Sequence, residues 1–273
     1  MKKINKNNKG YVLIKRLLKK KNKKVSLIEK KENKQKVILK EINLADLNER
    51  EKNISLQEGI RIKQLNNTNI INCYKFFQNN NEKNKINFEI EYAEGGNLFN
   101  KIENHKNKNK YFKEEEIIDW FIEICEGVKY IQSKKLNDID LKPQNIFLTK
   151  DNHIKIDNFC ISKSLNNKNE NIELINYLSP EIINHQPYDN NSVIWNLGII
   201  LYELTQLRHP FLNNKTNILL GKFNIINNNY SSKLLDLIRN LLKVKPKERK
   251  NIIEILFECY SIKKKKYIAF DNE

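Results

Sequence analysis

Alternation of apolar and polar positions dominates the first third of the chain. YVLIKRLL (11–18), KVSLIEK (24–30), KVILKEI (36–42), INCYKFF (71–77) and KINFEIEYA (85–93) each carry the two-residue period of a strand. Polar turns separate them. Between the third and fourth runs, residues 48–65 change to a helical period. Ile54, Ile62 and Leu65 fall toward one side of that helix, with Glu58 on a nearby face. The Gly95–Gly96 pair closes this block and reads as a hinge.

From about residue 97 the period becomes helical. Over residues 114–131, Ile117, Trp120, Phe121, Ile124, Val128 and Ile131 line one face. VIWNLGIILYEL (193–204) is apolar nearly all round, which predicts a helix buried on every side. Further helical patterns lie at 232–242 and 250–258, and NIFL (145–148) and HIKI (153–156) read as short strands. The predicted fold class is α+β and bilobal, with a five-stranded small lobe carrying one helix and a mostly helical large lobe. The limits read as a basic tail over 1–10, a small lobe over 11–93, a large lobe over 94–262 and a second basic tail over 263–273.

Composition changes this picture little. The 273 residues suffice for two lobes with a sizeable core. The net charge of +17 invites a polyanion reading. Lysine, asparagine and isoleucine are abundant together, however, and the lysines form no basic stripe interleaved with aromatics. No specific nucleic-acid partner is expected. Cys73, Cys125, Cys160 and Cys259 make no CxxC pair, so neither a zinc site nor a disulfide framework is indicated. No run of about 18 apolar residues suggests a membrane span. MKKINKNNKG has no apolar stretch behind its charges. A cytoplasmic or nuclear location is expected.

The chemistry-bearing residues follow in a fixed order. Lys40 ends VILK, Glu58 sits in the following helix, and NDIDLKPQNIFL (137–148) precedes IKIDNFCISK (154–163). SPE (179–181), SVIW (192–195) and Arg249 in KPKERK come after. This order resembles a eukaryotic protein kinase domain. YAEGGNL (92–98), DLKPQNIFLTKD (140–151), YLSPEI (177–182), LYELTQLRHPF (201–211) and KPKERKNIIEIL (245–256) are similar to the NIMA-related (NEK) serine/threonine kinases. The resemblance implies that Lys40 holds nucleotide phosphates, paired with Glu58, and that Val25, Ile38 and Phe147 belong to the nucleotide-binding positions. It implies Asp140 as the base for the substrate hydroxyl, Lys142 as the neutraliser of the transferring phosphate, and Asn145 as a metal ligand. Glu181 and Arg249 correspond to a structural ion pair, and Phe159 to the structural phenylalanine of Asp-Phe-Gly.

The departures from the family pattern point the other way. Leu18, Lys20 and Lys23 occupy the three glycine positions of the phosphate loop, where backbone must approach phosphate closely. Ile38 replaces a smaller residue beside the adenine. In the catalytic loop (138–145), Asp138 and Ile139 stand where His and Arg are usual. At 158–160, Asn158 falls on the metal-binding aspartate and Cys160 on a glycine, with Asp157 one residue early and expected to face away. Asn offers a neutral oxygen where Mg²⁺ favours charge. Val193 replaces the aspartate that fixes the catalytic loop from the central helix. The expectation is a pseudokinase that scaffolds or regulates a protein partner, an active kinase or a cytoskeletal complex, with weak ATP binding and poorly held Mg²⁺. The alternatives are a weakly active ATP-dependent serine/threonine kinase and, more remotely, a basic polyanion-binding module.

Overall fold

The structure, a computed structural model, describes residues 10–78, 84–136, 140–157, 176–187, 189–212, 214–225, 227 and 229–270, with 265–270 as helix backbone only. It divides into two compact units, with the chain passing from the first to the second between Glu94 and Gly95.

The first unit is built on β1 (Tyr11–Lys19), β2 (Lys23–Lys30), β3 (Lys36–Asn43), β4 (Cys73–Gln78) and β5 (Lys85–Glu91). They form one antiparallel sheet in the order β1-β2-β3-β5-β4. The fourth strand starts at Cys73, two residues later than the apolar run suggests, and Ile70 and Ile71 are buried ahead of it. Helix α1 (Glu49–Lys63) follows β3. Its start is fixed by a capping box: Asn48 Oδ1 accepts the Glu51 N–H at 2.9 Å, and Glu51 Oε2 accepts the Asn48 N–H at 3.0 Å.

The buried face of α1 differs from the predicted one. Ile54 is 52% exposed, and the covered line runs through Ser55, Gly59 and Ile62 at helical spacing. The reason is Phe76 of β4, whose ring Cζ lies 2.4 Å from where a Gly59 Cβ would stand. A helix that needs a missing side chain for contact cannot be found by counting apolar positions. Phe76 packs on Phe88 of β5 with ring centroids 4.8 Å apart.

The second unit is mainly helical: α2 (Leu98–Asn107), α3 (Glu114–Ser133), α4 (Pro180–Ile183), α5 (Asn190–Gln206), α6 (Lys215–Leu220), α7 (Ser232–Leu241) and α8 (Ile252–Phe270). A two-stranded ribbon, β6 (Ile146–Leu148) with β7 (Ile154–Ile156), completes it. The predicted apolar line of α3 is buried in full, and α5 is buried on all sides from Ser192 to Gln206. α3 packs on α8, and α5 on α7. α8 continues to Phe270, into residues read from sequence as a basic tail. The lysine run there did not stop a helix already docked through Ile255, Leu256, Cys259 and Ile262.

The Gly95–Gly96 pair has a local reason. The Gly95 N–H donates to the Leu148 carbonyl and the Leu148 N–H to the Gly96 carbonyl, both at 2.8 Å. A Cβ on Gly95 would meet Thr149 O at 2.6 Å, and Gly96 has φ +77°. These glycines let the chain lie against the end of β6.

Candidate functional site

In the first unit, the predicted nucleotide-binding residues lie on one face of the sheet. Val25 pairs with Lys40 and Leu27 with Ile38, and directly opposed residues of an antiparallel pair point the same way. Lys40 also pairs with Phe88 and Ile38 with Ile90, so Val25, Ile38, Lys40 and Phe88 share a face. That is the face on which Phe76 meets Gly59, one residue beyond Glu58. Lys40 is 4% exposed and Ile38 8%. Glu58 and Val25 are half-buried. Burial pushes the Cys73 thiol up to about 11, against a smaller opposing pull from Lys63 and Lys40.

Of the three positions that the resemblance gives to glycine, the turn between β1 and β2 carries Lys20; Leu18 already lies in β1, paired with Val25, and Lys23 opens β2. The Lys20 N–H closes on the Lys23 carbonyl at 2.8 Å. Lys21 Nζ lies 2.9 Å from Asp46 Oδ2, and Asn22 Nδ2 donates to the same oxygen at 3.1 Å. The Asn43 N–H donates to the Asn22 carbonyl at 2.9 Å. Bonds from Lys21 and Asn22 hold the Asp46 carboxyl below its ordinary range. This turn is fastened to the residues that follow β3.

In the second unit, Pro143–Asn145 forms a single 3-10 turn that leads into β6. It brings the predicted catalytic residues together. Asn145 Nδ2 donates to the Asp140 carbonyl and to Asp140 Oδ2, both at 2.9 Å. Lys142 Nζ lies 2.7 Å from Asp140 Oδ2. The Asp157 N–H donates to the Asn145 carbonyl at 2.8 Å, which sets the end of β7 beside this turn. Phe147 is half-buried on β6, opposite Lys155. Asp138, Ile139, Asn158, Phe159 and Cys160 lie outside the described residues. Among the described residues, no cluster of three His, Cys, Asp or Glu side chains is arranged to hold a metal.

The predicted structural pair is complete. Arg249 Nη1 and Nη2 donate to Glu181 Oε1 and Oε2 at 2.7 and 2.8 Å. Arg249 also donates to the carbonyls of Lys243 at 2.8 Å, Asn191 at 2.8 Å and Val244 at 3.1 Å, so all five guanidinium hydrogens are used. The guanidinium lies 5.0 Å from the centre of the Trp195 ring. Ser192 Oγ adds a third donor to Glu181, at 3.0 Å. Burial alone would raise the Glu181 carboxyl, but the arginine outweighs it and holds it low.

Residues not singled out from sequence also build this region. Tyr177 donates its hydroxyl to Glu203 of α5, at 3.0 and 3.2 Å from the two oxygens. Burial pushes the Glu203 carboxyl up to about 8. His209 Nδ1 accepts the N–H groups of Phe211 and Leu212, each at 3.1 Å, and burial lowers its pKa to about 4. The HPF motif is thus a turn closed by a neutral imidazole. Asn196 of α5 donates Nδ2 to the Leu141 carbonyl at 3.1 Å.

A five-stranded antiparallel sheet with one helix, joined to a helical unit that holds an Asp-x-Lys-x-x-x-x-Asn turn, defines a protein kinase fold. Residues 11–261 match the protein kinase domain family, and the chain belongs to it. The mouse serine/threonine-protein kinase Nek1 is 34% identical over 253 residues, 88% of this chain and 20% of that protein. The human serine/threonine-protein kinase Nek5 is 36% identical over 229 residues, 80% of this chain and 32% of the relative. The probable serine/threonine-protein kinase nek3 of Dictyostelium discoideum is 37% identical over 235 residues, 81% of this chain and 20% of the relative. The domain is of the NEK type, and the chain spans between 20% and 32% of the length of these relatives.

Proposed function

We propose that this NEK-type domain acts as a pseudokinase, scaffolding or regulating a protein partner inside the cell, with nucleotide binding weakened and phosphoryl transfer lost. The partner class suggested by the resemblance is an active kinase or a cytoskeletal complex. The observation that carries the reading is the β1–β2 turn. A phosphate cradle works through free backbone N–H groups held close to the ligand. In this turn the Lys20 N–H is taken by the Lys23 carbonyl, and the side chains of Lys21 and Asn22 are taken by Asp46. The substitution of Asn158 at the metal-binding aspartate position, read from sequence, removes a charge from the same chemistry.

The residues present fit Mg²⁺ and nucleotide only in part. Asn145 turns its amide nitrogen to Asp140, which leaves Oδ1 as the atom able to meet a hard cation. Lys40 supplies a buried cation for phosphate. When bound, Mg²⁺ would supply charge neutralisation at the phosphates. The chain's own contribution would be to hold the nucleotide and to fix the Asp140 carboxylate.

The second reading, a weakly active serine/threonine kinase, has a specific observation behind it: Asp140, Lys142 and Asn145 are within hydrogen-bonding distance of one another. Thermal unfolding with ATP, with and without Mg²⁺, together with a phosphate-transfer assay, separates the two, since a ligand that binds only the folded state raises its stability. Absent transfer, with a small or Mg²⁺-independent shift, is expected. A Mg²⁺-dependent shift together with substrate phosphorylation that Asp140→Ala abolishes would overturn the pseudokinase reading.

A further inference from the structure

We propose that Asn196 is the positioning residue of the catalytic loop, doing from α5 what Val193 no longer can. The resemblance gives the Val193 position to an aspartate that grips the loop. Val193 offers only methyl groups, and it is fully buried. Asn196 lies three residues further along α5, and residues three apart on a helix are neighbours on its surface. Its side chain is 7% exposed, and its Nδ2 reaches the Leu141 carbonyl at 3.1 Å across 55 positions of sequence.

The place of contact gives the bond its consequence. Leu141 stands between Asp140 and Lys142, and its side chain is fully buried. A buried carbonyl without a partner is costly, so the peptide between Leu141 and Lys142 is held at the distance the amide dictates. Among the described residues this is the direct hydrogen bond between α5 and the loop. The grip has opposite polarity to the one it replaces: an aspartate accepts N–H groups, whereas Asn196 donates to a carbonyl. It also brings no further charge into α5, which is buried on every side. Asn145 and Lys142 then orient the Asp140 carboxylate on a backbone already fixed.

The inference rests on the family assignment of this loop and not on whether phosphate is transferred. Its test therefore reads backbone protection and needs no catalysis. In Asn196→Ala, amide hydrogen exchange over residues 141–145 is expected to rise about tenfold or more, with α7 and the sheet of the first unit unchanged. Exchange that stays as in the native chain, or that rises evenly across the second unit, would overturn the proposal in favour of simple core packing.

Asn196→Asp keeps the test decisive if the alanine variant does not fold. A protonated carboxyl can donate to the Leu141 carbonyl, and a carboxylate repels it. Loop protection in Asn196→Asp, corrected for intrinsic exchange and compared with the native chain, should be near native at low pH and lost as pH rises through that carboxyl's raised pKa. Protection that does not change with pH in this variant would also count against the proposal.

Discussion

Two charged clusters show how differently this molecule treats its inherited residues. Around Arg249 every donor is used, both partners of the ion pair are almost fully buried, and three carbonyls from two other segments are gathered in. At the β1–β2 turn, Lys21 and Asp46 also form an ion pair, but their side chains are 80% and 48% exposed. The first cluster holds the two residues that the resemblance gives as a structural pair, and the second lies among positions where the resemblance expects glycines. A buried pair cannot lose one member without leaving a charge in the core, whereas a solvated turn can change every residue and still close. The fold is thus protected by its own energetics, and phosphate chemistry at a surface turn has no such protection.

The sharpest way to break this comparison is to remove one side of the buried pair. Arg249→Ala should cost about 3–5 kcal/mol, because Glu181 is left charged and the three carbonyls lose their donor. The melting temperature should fall by roughly ten degrees or more, or the protein should be insoluble. Urea and thermal unfolding measure it. A loss no larger than that of a surface charge would show that the cluster is not what holds this segment.

A second buried cluster, in the first unit, is expected to follow the same rule at a somewhat smaller cost. Glu89 is 1% exposed and is held by Lys30, itself buried, and by the Tyr11 hydroxyl at 2.6 Å. Burial raises its carboxyl, but Lys30 and Tyr11 prevail and leave it lowered. Tyr11 in turn is pushed up to about 12, first by burial and then by Glu89. Glu89→Leu strands Lys30 and should cost about 2–4 kcal/mol. Since the folded pKa is depressed, the native contribution is present above the unfolded carboxylate value, about 4.3, and is lost as pH falls through the folded one. The acid limb of the stability curve should therefore be shallower in the variant.

Glu89 also shows where the sequence stopped being legible. In KINFEIE the alternation is clear and marks the strand, but nothing in it singles out Glu89. Alternation tells which face a residue takes but not what covers that face. Here the cover includes Tyr11, 78 positions away. Ile54 failed for a related reason, since α1 docks through the gap left by Gly59 and not through its largest apolar residue. The loop residues Asp140, Lys142 and Asn145 were legible because their spacing is local. Asn196 was not, since its partner lies 55 positions away and an asparagine in an apolar run reads as a flaw. Val193 reads as a loss from sequence, while the side chain that reaches the loop stands one turn further on.

Glu203 sharpens the comparison from the opposite direction, as a buried acid with a hydroxyl for a partner instead of a cation. Its carboxyl is raised to about 8 by burial, with Tyr177 opposing weakly and Glu103 adding to the rise. The folded state therefore binds a proton that the unfolded state has released, and stability falls as pH climbs from about 4.3 toward 8. Glu203→Gln keeps the shape and an acceptor for Tyr177 while removing the titration. It should stabilise the protein by on the order of 2 kcal/mol at pH 7 and flatten the curve over that window. Denaturant unfolding at several pH values tests this, and an unchanged slope would mean that Glu203 is charged in the folded protein.

The smallest effect is expected at the turn itself. Asp46→Ala removes the common acceptor of Lys21 and Asn22, both solvent-facing contacts, and exposed ion pairs are worth little. The melting temperature should not change measurably. The Asn43 N–H to Asn22 carbonyl bond remains, so β2 and β3 stay paired. Local opening should nonetheless become easier, and amide exchange at residues 20–23 should rise while the rest of the sheet keeps its protection. Nucleotide affinity of the variant then distinguishes two roles for Asp46. If loosening the turn strengthens ATP binding, the tether is what withholds its lysines from phosphate. If affinity is low and unchanged, the missing glycines alone account for it, because no side-chain release restores a backbone cradle.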